Sequence, residues 1–243
     1  MKKILLILSL VFIGYTAQSQ ILITLLLGDK LNSDGLEFGL VGGGNWTTIS
    51  GLETNDYARK YNLGFYFDIR IKNQWSLYTG VLVKANMGVD KLTTNDLNSM
   101  QATIYDSLDG QAMVGDYSHK MNYFLIPVLL RYNFKNNLNI NLGPQFGLMY
   151  KSWIEFESDI DGRDAFIKEY NKAKINTIDV GIMIGMGYTL FKGSGWTFGA
   201  SYYYGLVDVY KDISGTKNSS FFIEVNIPIG AGEKPKKDEH TLD

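Results

Sequence analysis

The feature that most constrains the fold is a strict alternation of apolar and polar residues along most of the chain. In residues 138–151 the even-numbered positions are Leu, Ile, Leu, Pro, Phe, Leu and Tyr, whereas the odd-numbered positions are Asn, Asn, Gly, Gln, Gly, Met and Lys. A period of two residues is that of a β-strand whose two faces meet different surroundings. Residues 174–190 and 219–229 show the same pattern. The chain is therefore predicted to be all-β.

The connections between the alternating runs differ in length in a regular way. Tight turns of two to four residues follow the second, fourth and sixth runs, and they are short enough for hairpins. The other four connections have roughly 12, 29, 22 and 10 residues, and such alternation is typical of a transmembrane barrel with short periplasmic turns and long external loops. We predict an eight-stranded antiparallel up-and-down transmembrane β-barrel, with strands at residues 36–48, 61–71, 74–88, 118–134, 138–151, 174–190, 195–208 and 219–229.

The two faces of the predicted strands differ in charge. The apolar face contains no Asp, Glu, Lys or Arg, which suits contact with lipid, because Lys or Arg at mid-membrane costs about 2–4 kcal/mol. The opposite face is rich in Gly and carries acids and bases in equal number. An eight-stranded barrel is only wide enough to be filled by its own side chains. We therefore predict a filled polar lumen with a charge network of Glu37, Asp68, Arg70, Lys84, Arg131, Lys151, Asp179 and Glu224.

Aromatic residues flank the predicted strands as two interfacial rings would. Trp75, Phe134 and Trp196 lie beside the short turns, and Trp46 and Trp153 lie near the long loops. A soluble lipocalin-like barrel is the structural alternative, and it would place the apolar face inward. The unequal connections and the balanced charged face favour the membrane barrel.

Both ends of the chain differ from the barrel region. Lys2 and Lys3 precede the apolar run Ile4–Ile13, and Ala17-Gln18-Ser19 follows, which is typical of a secretory signal peptide cleaved before Gln20. The predicted organisation is a signal peptide at 1–19, a periplasmic or interfacial segment at 20–35, the outer-membrane barrel at 36–230 and a polar tail at 231–243.

Composition excludes several classes of function. The absence of Cys excludes disulfides, Cys-ligated metals and Cys nucleophiles, and two His residues offer little for zinc binding or catalysis. A net charge of -2 provides no basic surface for nucleic acid. His119 near Asp116 and Ser118 is a weak hydrolase signal, and a solvated loop histidine is the simpler interpretation. We predict no catalytic, cofactor-binding or metal-binding residues and no nucleic-acid partner.

One acidic segment resembles the start of a calcium loop. Residues 157–162, Glu-Ser-Asp-Ile-Asp-Gly, have the acid spacing and the glycine of such a loop. The twelfth position, which should be a bidentate Glu, is Lys168. An acidic external hairpin is the simpler interpretation.

Several motifs together resemble the PorT-like outer-membrane β-barrel family. They are the run Tyr123–Phe134 (YFLIPVLLRYNF), Leu142-Gly143-Pro144-Gln145, Gly185-Met186-Gly187-Tyr188 and Tyr203-Tyr204-Gly205-Leu206. Proline is unusual inside a sheet, so the Ile-Pro and Gly-Pro pairs make the match more specific. The resemblance covers about residues 36–230 and implies an eight-stranded outer-membrane barrel whose best-known relative is a secretion-system component. The polar C-terminal tail departs from the usual aromatic barrel ending.

The predicted function is that of a non-enzymatic outer-membrane protein of a Gram-negative envelope. It would act as a monomer, in contact with membrane lipid, as a structural or interaction protein whose external loops, residues 90–117 and 152–173, meet envelope partners. An accessory role in outer-membrane transport or secretion is the alternative, suggested by the resemblance and by the apolar segment Ile21–Leu27. A lipocalin-like binding barrel is more remote, and a hydrolase or acyltransferase lacks a convincing nucleophile and base.

Overall fold

The computed structural model describes residues 35–105, 107–108, 111–112, 114–160, 163–193 and 195–229. The predicted signal peptide, almost all of the predicted segment 20–35 and the polar tail lie outside these residues. The described part contains two short helices, α1 (Thr94–Ser99) and α2 (Leu190–Gly193), and a 3₁₀ turn at Lys172–Lys174. None of the helices in these segments is long and apolar enough to cross a membrane.

Strands make up most of the described chain. They are β1 (Leu36–Ser50), β2 (Ala58–Lys72), β3 (Trp75–Val89), β4 (Ser107–Leu108), β5 (Gln111–Ala112), β6 (Asp116–Asn133), β7 (Leu138–Ile160), β8 (Arg163–Tyr170), β9 (Ile178–Thr189), β10 (Thr197–Asp208) and β11 (Lys217–Pro228).

Eight of these strands pair in an antiparallel ring. The order around the ring is β1, β2, β3, β6, β7, β9, β10 and β11, and β11 pairs with β1 from Gly39 to Ser50. Strands β4 and β5 form a small separate hairpin, and β8 pairs with the outer part of β7 as a hairpin that extends beyond the ring. The prediction of an all-β antiparallel barrel architecture is confirmed.

The predicted strands match the ring strands with small differences at their ends. The main difference is β7, which continues to Ile160 instead of ending near residue 151. Its outer part is held between β6 and β8, so it has hydrogen-bond partners on both sides beyond the ring. Strand β9 begins at Ile178 rather than near residue 174, because the 3₁₀ turn precedes it.

The outer wall of the ring is apolar and the inner wall is mixed. Along β7, Asn139, Gln145 and Met149 point inward and are at most 2% exposed. The apolar residues between them point outward and are 41–56% exposed: Leu138, Ile140, Leu142, Phe146 and Leu148. A lipocalin-like barrel would show the opposite orientation. The lipocalin-like alternative is therefore wrong.

The interior of the ring is packed with side chains. Tyr66, Tyr123 and Tyr203 are at most 1% exposed although each is large, and the rings of Tyr66 and Tyr78 stack at 5.7 Å. The strands approach closely where glycine faces inward: a Cβ at Gly64 would lie 2.1 Å from the Val81 carbonyl oxygen. Large rings therefore fit inside because small residues lie beside them.

Two β-bulges interrupt the alternation at the same level of the wall. The β2–β3 register skips one residue of β3, so Val83 and Lys84 both face outward. The β6–β7 register skips one residue of β7, and Tyr150 and Lys151 are both exposed in the same way. Because one extra residue reverses the parity of a strand, apolar residues beyond each bulge, such as Met87, point inward.

A charge on the outer wall tests whether that wall contacts lipid. Leu142 lies in the middle of the outward row of β7, whereas Leu138 begins the strand at the end with short turns. Leu142→Arg should lower the free energy of unfolding by about 2–4 kcal/mol, and the matched Leu138→Arg by about 0–1 kcal/mol, because the cost of a buried cation falls toward the interface. Urea unfolding in lipid vesicles measures both. Equal losses would contradict a lipid-facing wall.

Candidate functional site

The candidate site is the end of the ring that carries the long connections. We call it the external cap, and it comprises the described residues 51–57, 90–105, 114–120, 152–177 and 209–216. The opposite end carries the short turns, which are periplasmic in barrels of this design. The predicted interaction loops, residues 90–117 and 152–173, both fall in this cap except for their undescribed positions.

The connections of the cap pack into a common apolar core. Leu97 and Met100 on and after α1 are buried together with Phe156 of β7, Ile175 and Val209. The rings of Tyr117 and Phe156 lie 4.6 Å apart. Four separate parts of the chain therefore form one folded layer above the ring.

Helix α1 is short, and its N-terminal end is held by side chains. Thr93 and Asp96 form a capping box, in which the Asp96 backbone N–H donates to Thr93 Oγ1 at 3.1 Å and the Thr93 N–H donates to Asp96 Oδ2 at 3.1 Å. The same carboxylate accepts the backbone N–H groups of Glu53 and Thr54, at 2.7 and 3.1 Å. Asp96 thus ties the second long connection to the first.

A buried histidine joins three other segments of the cap. His119 of β6 is fully buried, and its Nε2 lies 2.8 Å from Ser152 Oγ of β7. The Ser152 hydroxyl donates to Asn171 Oδ1 at 2.6 Å, and Asn171 Nδ2 lies 3.2 Å from the same ring nitrogen of His119. The Tyr210 hydroxyl lies 2.6 Å from Nδ1. The expectation of a solvated loop histidine is wrong, because the cap covers this position.

Burial also sets the protonation state of this histidine. His119 lies beyond Phe124, the last outward-facing aromatic residue of β6, and so outside the membrane-spanning part of the strand. Desolvation lowers the pKa of His119 to about 4, since a buried imidazolium loses its hydration. The ring is therefore neutral at physiological pH.

The outermost part of the cap exposes apolar and aromatic side chains. Phe166 and Tyr170 of β8 and Val114 before β6 are all more than half exposed. Strand β8 pairs only with β7 among the described strands, so its other edge is open. The segment predicted as an acidic hairpin is this β7–β8 hairpin, although Asp161 and Gly162 lie outside the described residues.

One ion pair of the predicted lumen charge network lies inside the barrel near its periplasmic end and joins β6 to β2 past β3. Arg131 Nη1 lies 2.6 Å from Asp68 Oδ2, and Arg131 Nε donates to Asn141 Oδ1 at 2.7 Å. The guanidinium also lies over the Tyr78 ring, 4.1 Å from its centroid. The Arg131 side chain is thus paired on two edges and on one face.

The remaining predicted lumen acids have neutral partners or line a cavity. Glu37 accepts a hydrogen bond from the Tyr66 hydroxyl at 2.7 Å, and Asp179 accepts one from Asn218 Nδ2 at 2.9 Å. Glu224 lines a small internal cavity beside Tyr78 and Arg131. Arg70 is exposed at the periplasmic mouth rather than inside the barrel.

Two predicted lumen charges are placed wrongly by the sequence pattern. Lys84 and Lys151 are exposed on the outer wall, where each ammonium group lies over aromatic rings. The reason is the pair of β-bulges, because each bulge turns two consecutive residues outward. A strict period of two cannot anticipate this.

The predicted interfacial aromatics lie on the outer wall. Trp75 packs edge-on against Tyr132 at 4.8 Å, and Tyr132 packs against Phe134 at 4.9 Å. Trp46 and Trp196 are exposed. Trp153 is half-buried, and its indole N–H donates to Glu155 Oε2 at 3.0 Å.

Comparison with known proteins identifies the family. Residues 17–211 match the family model described as "Outer membrane protein beta-barrel domain". The chain belongs to this outer-membrane β-barrel family. The protein is accordingly located in the outer membrane. The match does not name the PorT-like group, so that resemblance stays a prediction, and no curated protein matches the sequence.

The chain is also similar to solved outer-membrane barrels. Ail, the attachment invasion locus protein of Yersinia pestis, is 11% identical with a TM-score of 0.40, over 81% of this chain and 99% of Ail. Neisserial surface protein A is 12% identical with a TM-score of 0.39, over 80% and 97%. OprG from Pseudomonas aeruginosa is 13% identical with a TM-score of 0.27, over 79% and 91%. These likenesses concern the fold alone.

Removal of Arg131 should destabilise the barrel of this family member. Arg131→Ala leaves the partly buried Asp68 carboxylate without its cation. The free energy of unfolding should fall by about 3–5 kcal/mol, because an unpaired charge then remains inside the barrel. Arg70→Ala, at the exposed mouth, is the matched control and should change it by about 0.5 kcal/mol or less. Urea unfolding compares them. An Arg131→Ala variant as stable as the control would show that the pair is solvated.

His119 should make the cap sensitive to acid. Its pKa is about 4 when folded and 6.5 in the unfolded chain, so its stabilising contribution is complete above about pH 7 and is lost as the pH falls toward 4. The loss should be about 3 kcal/mol. The drop in unfolding free energy between pH 7.5 and pH 4 should be about 3 kcal/mol smaller in His119→Gln than in wild type. His240→Gln, the control, should keep the wild-type dependence, and an unchanged His119→Gln profile would refute the assignment.

Proposed function

We propose that the protein is a non-enzymatic outer-membrane barrel that presents its external cap to other proteins of the envelope or cell surface. The observation that carries this proposal is the folded state of the cap. Its segments share a buried core and a buried hydrogen-bond network, so the exposed side chains above them are held in fixed positions. A fixed surface lowers the ordering cost of binding.

The exposed part of the cap has the character of a protein-binding surface. Phe166 and Tyr170 are exposed beside the open edge of β8, and both backbone pairing and aromatic anchors are common means of recognition. Phe166 lies further out than Tyr170 on this hairpin, away from the hydrocarbon-facing part of the wall. A protein partner with an extended segment fits this arrangement.

The interior of the barrel supports an interaction role over solute passage. Tyr66, Tyr123 and Phe222 reach into the ring and are at most 1% exposed. The Arg131–Asp68 pair lies in the same interior nearer the periplasm. These side chains occupy the volume that a water-filled channel of porin size would need.

The one serine–histidine pair in the described cap does not suit catalysis. Ser152 and His119 are within hydrogen-bond distance, but Ser152 is 1% exposed and its proton is donated to Asn171. A nucleophile needs both access to substrate and a base that accepts its proton. Within the described residues, no cluster of three or more His, Asp or Glu side chains is arranged to hold a metal ion.

Photocrosslinking in cells tests the proposal. A photoreactive amino acid at Phe166 or Tyr170 should give discrete protein adducts, whereas the same residue at Leu142, which faces lipid, should give none. Purified protein in planar bilayers should show no conductance of porin size. An open conductance, together with no adduct at either cap position, would contradict the proposal.

An accessory role in transport or secretion is the second candidate, and a recess at the periplasmic end favours it. The recess has a volume of about 480 Å³ and is lined by polar and charged residues that include Arg70, Asn73 and Lys135. A partner that engages the barrel from the periplasm would contact this recess. The same photoreactive residue at Asn73 distinguishes the two roles, because adducts there but not at Phe166 would favour the accessory role.

A further inference from the structure

Two lysines lie side by side on the outer wall of the barrel. Lys84 of β3 and Lys151 of β7 are both exposed, and they flank β6, Lys84 near Phe124 and Lys151 opposite Asn122. Neighbouring strands are about 4.8 Å apart, so the two backbone positions are about 10 Å apart, within reach of one ligand for both side chains. The Phe124 and Tyr150 rings, 4.8 Å apart, form the surface between them.

Both lysines face outward because of a bulge in their own strand. Without the extra residue in β3 and in β7, each side chain would point into the barrel. The two strands on either side of β6 thus carry the same irregularity at similar heights, and each irregularity places a cation on the wall. Bulges commonly re-aim a side chain at a functional position.

The surroundings of the lysines are aromatic rather than acidic. Lys84 Nζ lies 4.7 Å from the centroid of the Tyr61 ring, and Lys151 Nζ lies 5.2 Å from the Trp153 ring and 5.4 Å from the Tyr170 ring. In the part of the chain that the structure describes, neither ammonium group is within 4.0 Å of a carboxylate.

The nearby acid is already neutralised. Glu155 contacts the ammonium group of Lys120 and lies 3.3 Å from Lys168 Nζ, so it has two cations of its own. Lys168 also lies 5.8 Å from the Trp153 ring. This side of the wall therefore carries excess positive charge.

The position along the wall matches the headgroup level of the outer leaflet. Phe65, Val83 and Leu148 below the lysines are exposed and apolar, as the hydrocarbon region requires. The cap begins above them, and aromatic rings of this kind concentrate at membrane interfaces. Lysine side chains at such a level direct their charge toward the headgroups.

We propose that Lys84 and Lys151 bind the phosphate groups of an anionic glycolipid of the outer leaflet, across the Phe124–Tyr150 surface. The two ammonium groups supply the charge that phosphate needs. The apolar wall below accepts the acyl chains. Tyr170 borders both this site and the exposed surface of the cap. The two lysines face the membrane whether or not that surface binds a protein, so the inference does not depend on the proposed function.

Native mass spectrometry of the full chain in detergent, titrated with bisphosphorylated lipid A, tests the site. The wild type should retain one lipid molecule, and the double variant Lys84→Gln, Lys151→Gln should bind it about 10- to 30-fold more weakly, because each surface lysine strengthens binding to anionic lipid about fivefold. The double variant Lys84→Arg, Lys151→Arg keeps both charges and should bind like wild type.

Matched controls separate this site from general charge and from folding. The variant Lys72→Gln, Lys135→Gln removes two exposed lysines at the periplasmic end and should leave binding unchanged. Dephosphorylated lipid A with the same acyl chains should bind wild type weakly. Its affinity should be close to that of lipid A for the Lys84→Gln, Lys151→Gln variant. This comparison uses only wild-type protein, so it holds even where a variant does not fold.

Three results would overturn the proposal. The first is a Lys84→Gln, Lys151→Gln variant that binds lipid A like wild type and shows the heat-modifiable gel mobility of a folded barrel. The second is equal binding of phosphorylated and dephosphorylated lipid A by wild type. The third is displacement of lipid A by inorganic phosphate at millimolar concentration, which would assign the site to free phosphate instead of a lipid.

Discussion

Backbone hydrogen bonding inside the membrane is the constraint on which the rest of the structure depends. A strand in hydrocarbon has no water to satisfy its N–H and C=O groups, so every strand needs a partner on both sides. The pairing of β11 with β1 and of β6 with β7 supplies the partners that an open sheet would lack. Once the ring is closed, its small diameter forces large rings, glycines and paired charges to share one interior. The closed ring also fixes which segments meet above it.

The sequence predicted the ring well but not the direction of every side chain. Alternation located all eight ring strands, because lipid on one side and a polar interior on the other impose a period of two. Past Tyr150 of β7 the even-numbered positions include the apolar Ile154 and Phe156, although Ser152 and Ser158 are polar. The even-numbered positions face lipid before the bulge and the core of the cap after it. An apolar residue suits both surroundings, so Ile154 and Phe156 do not mark the reversal, and Lys84 and Lys151 were assigned to the lumen.

The partners within the candidate site depend on long-range register, which composition and spacing do not reveal. Arg131 was predicted to belong to a lumen charge network, but the choice of Asp68 as its partner follows from the alignment of β2, β3 and β6. The His119 network was even less predictable from the sequence, because its members come from four segments that the closed ring brings together. Its only signal in the sequence is a histidine in an otherwise polar stretch.

The two bulges also divide the chain by how freely its apolar residues can vary. Below them, a side chain such as Leu148 meets fluid acyl chains that adapt to any shape, so one large apolar residue can replace another with little effect. Above them, Ile154 and Phe156 fill a space of fixed volume, in which an added or missing methylene leaves strain or a void. Apolar residues that look alike in the sequence thus differ in how freely they can be substituted. The bulge that separates the two groups is a single extra residue in the strand.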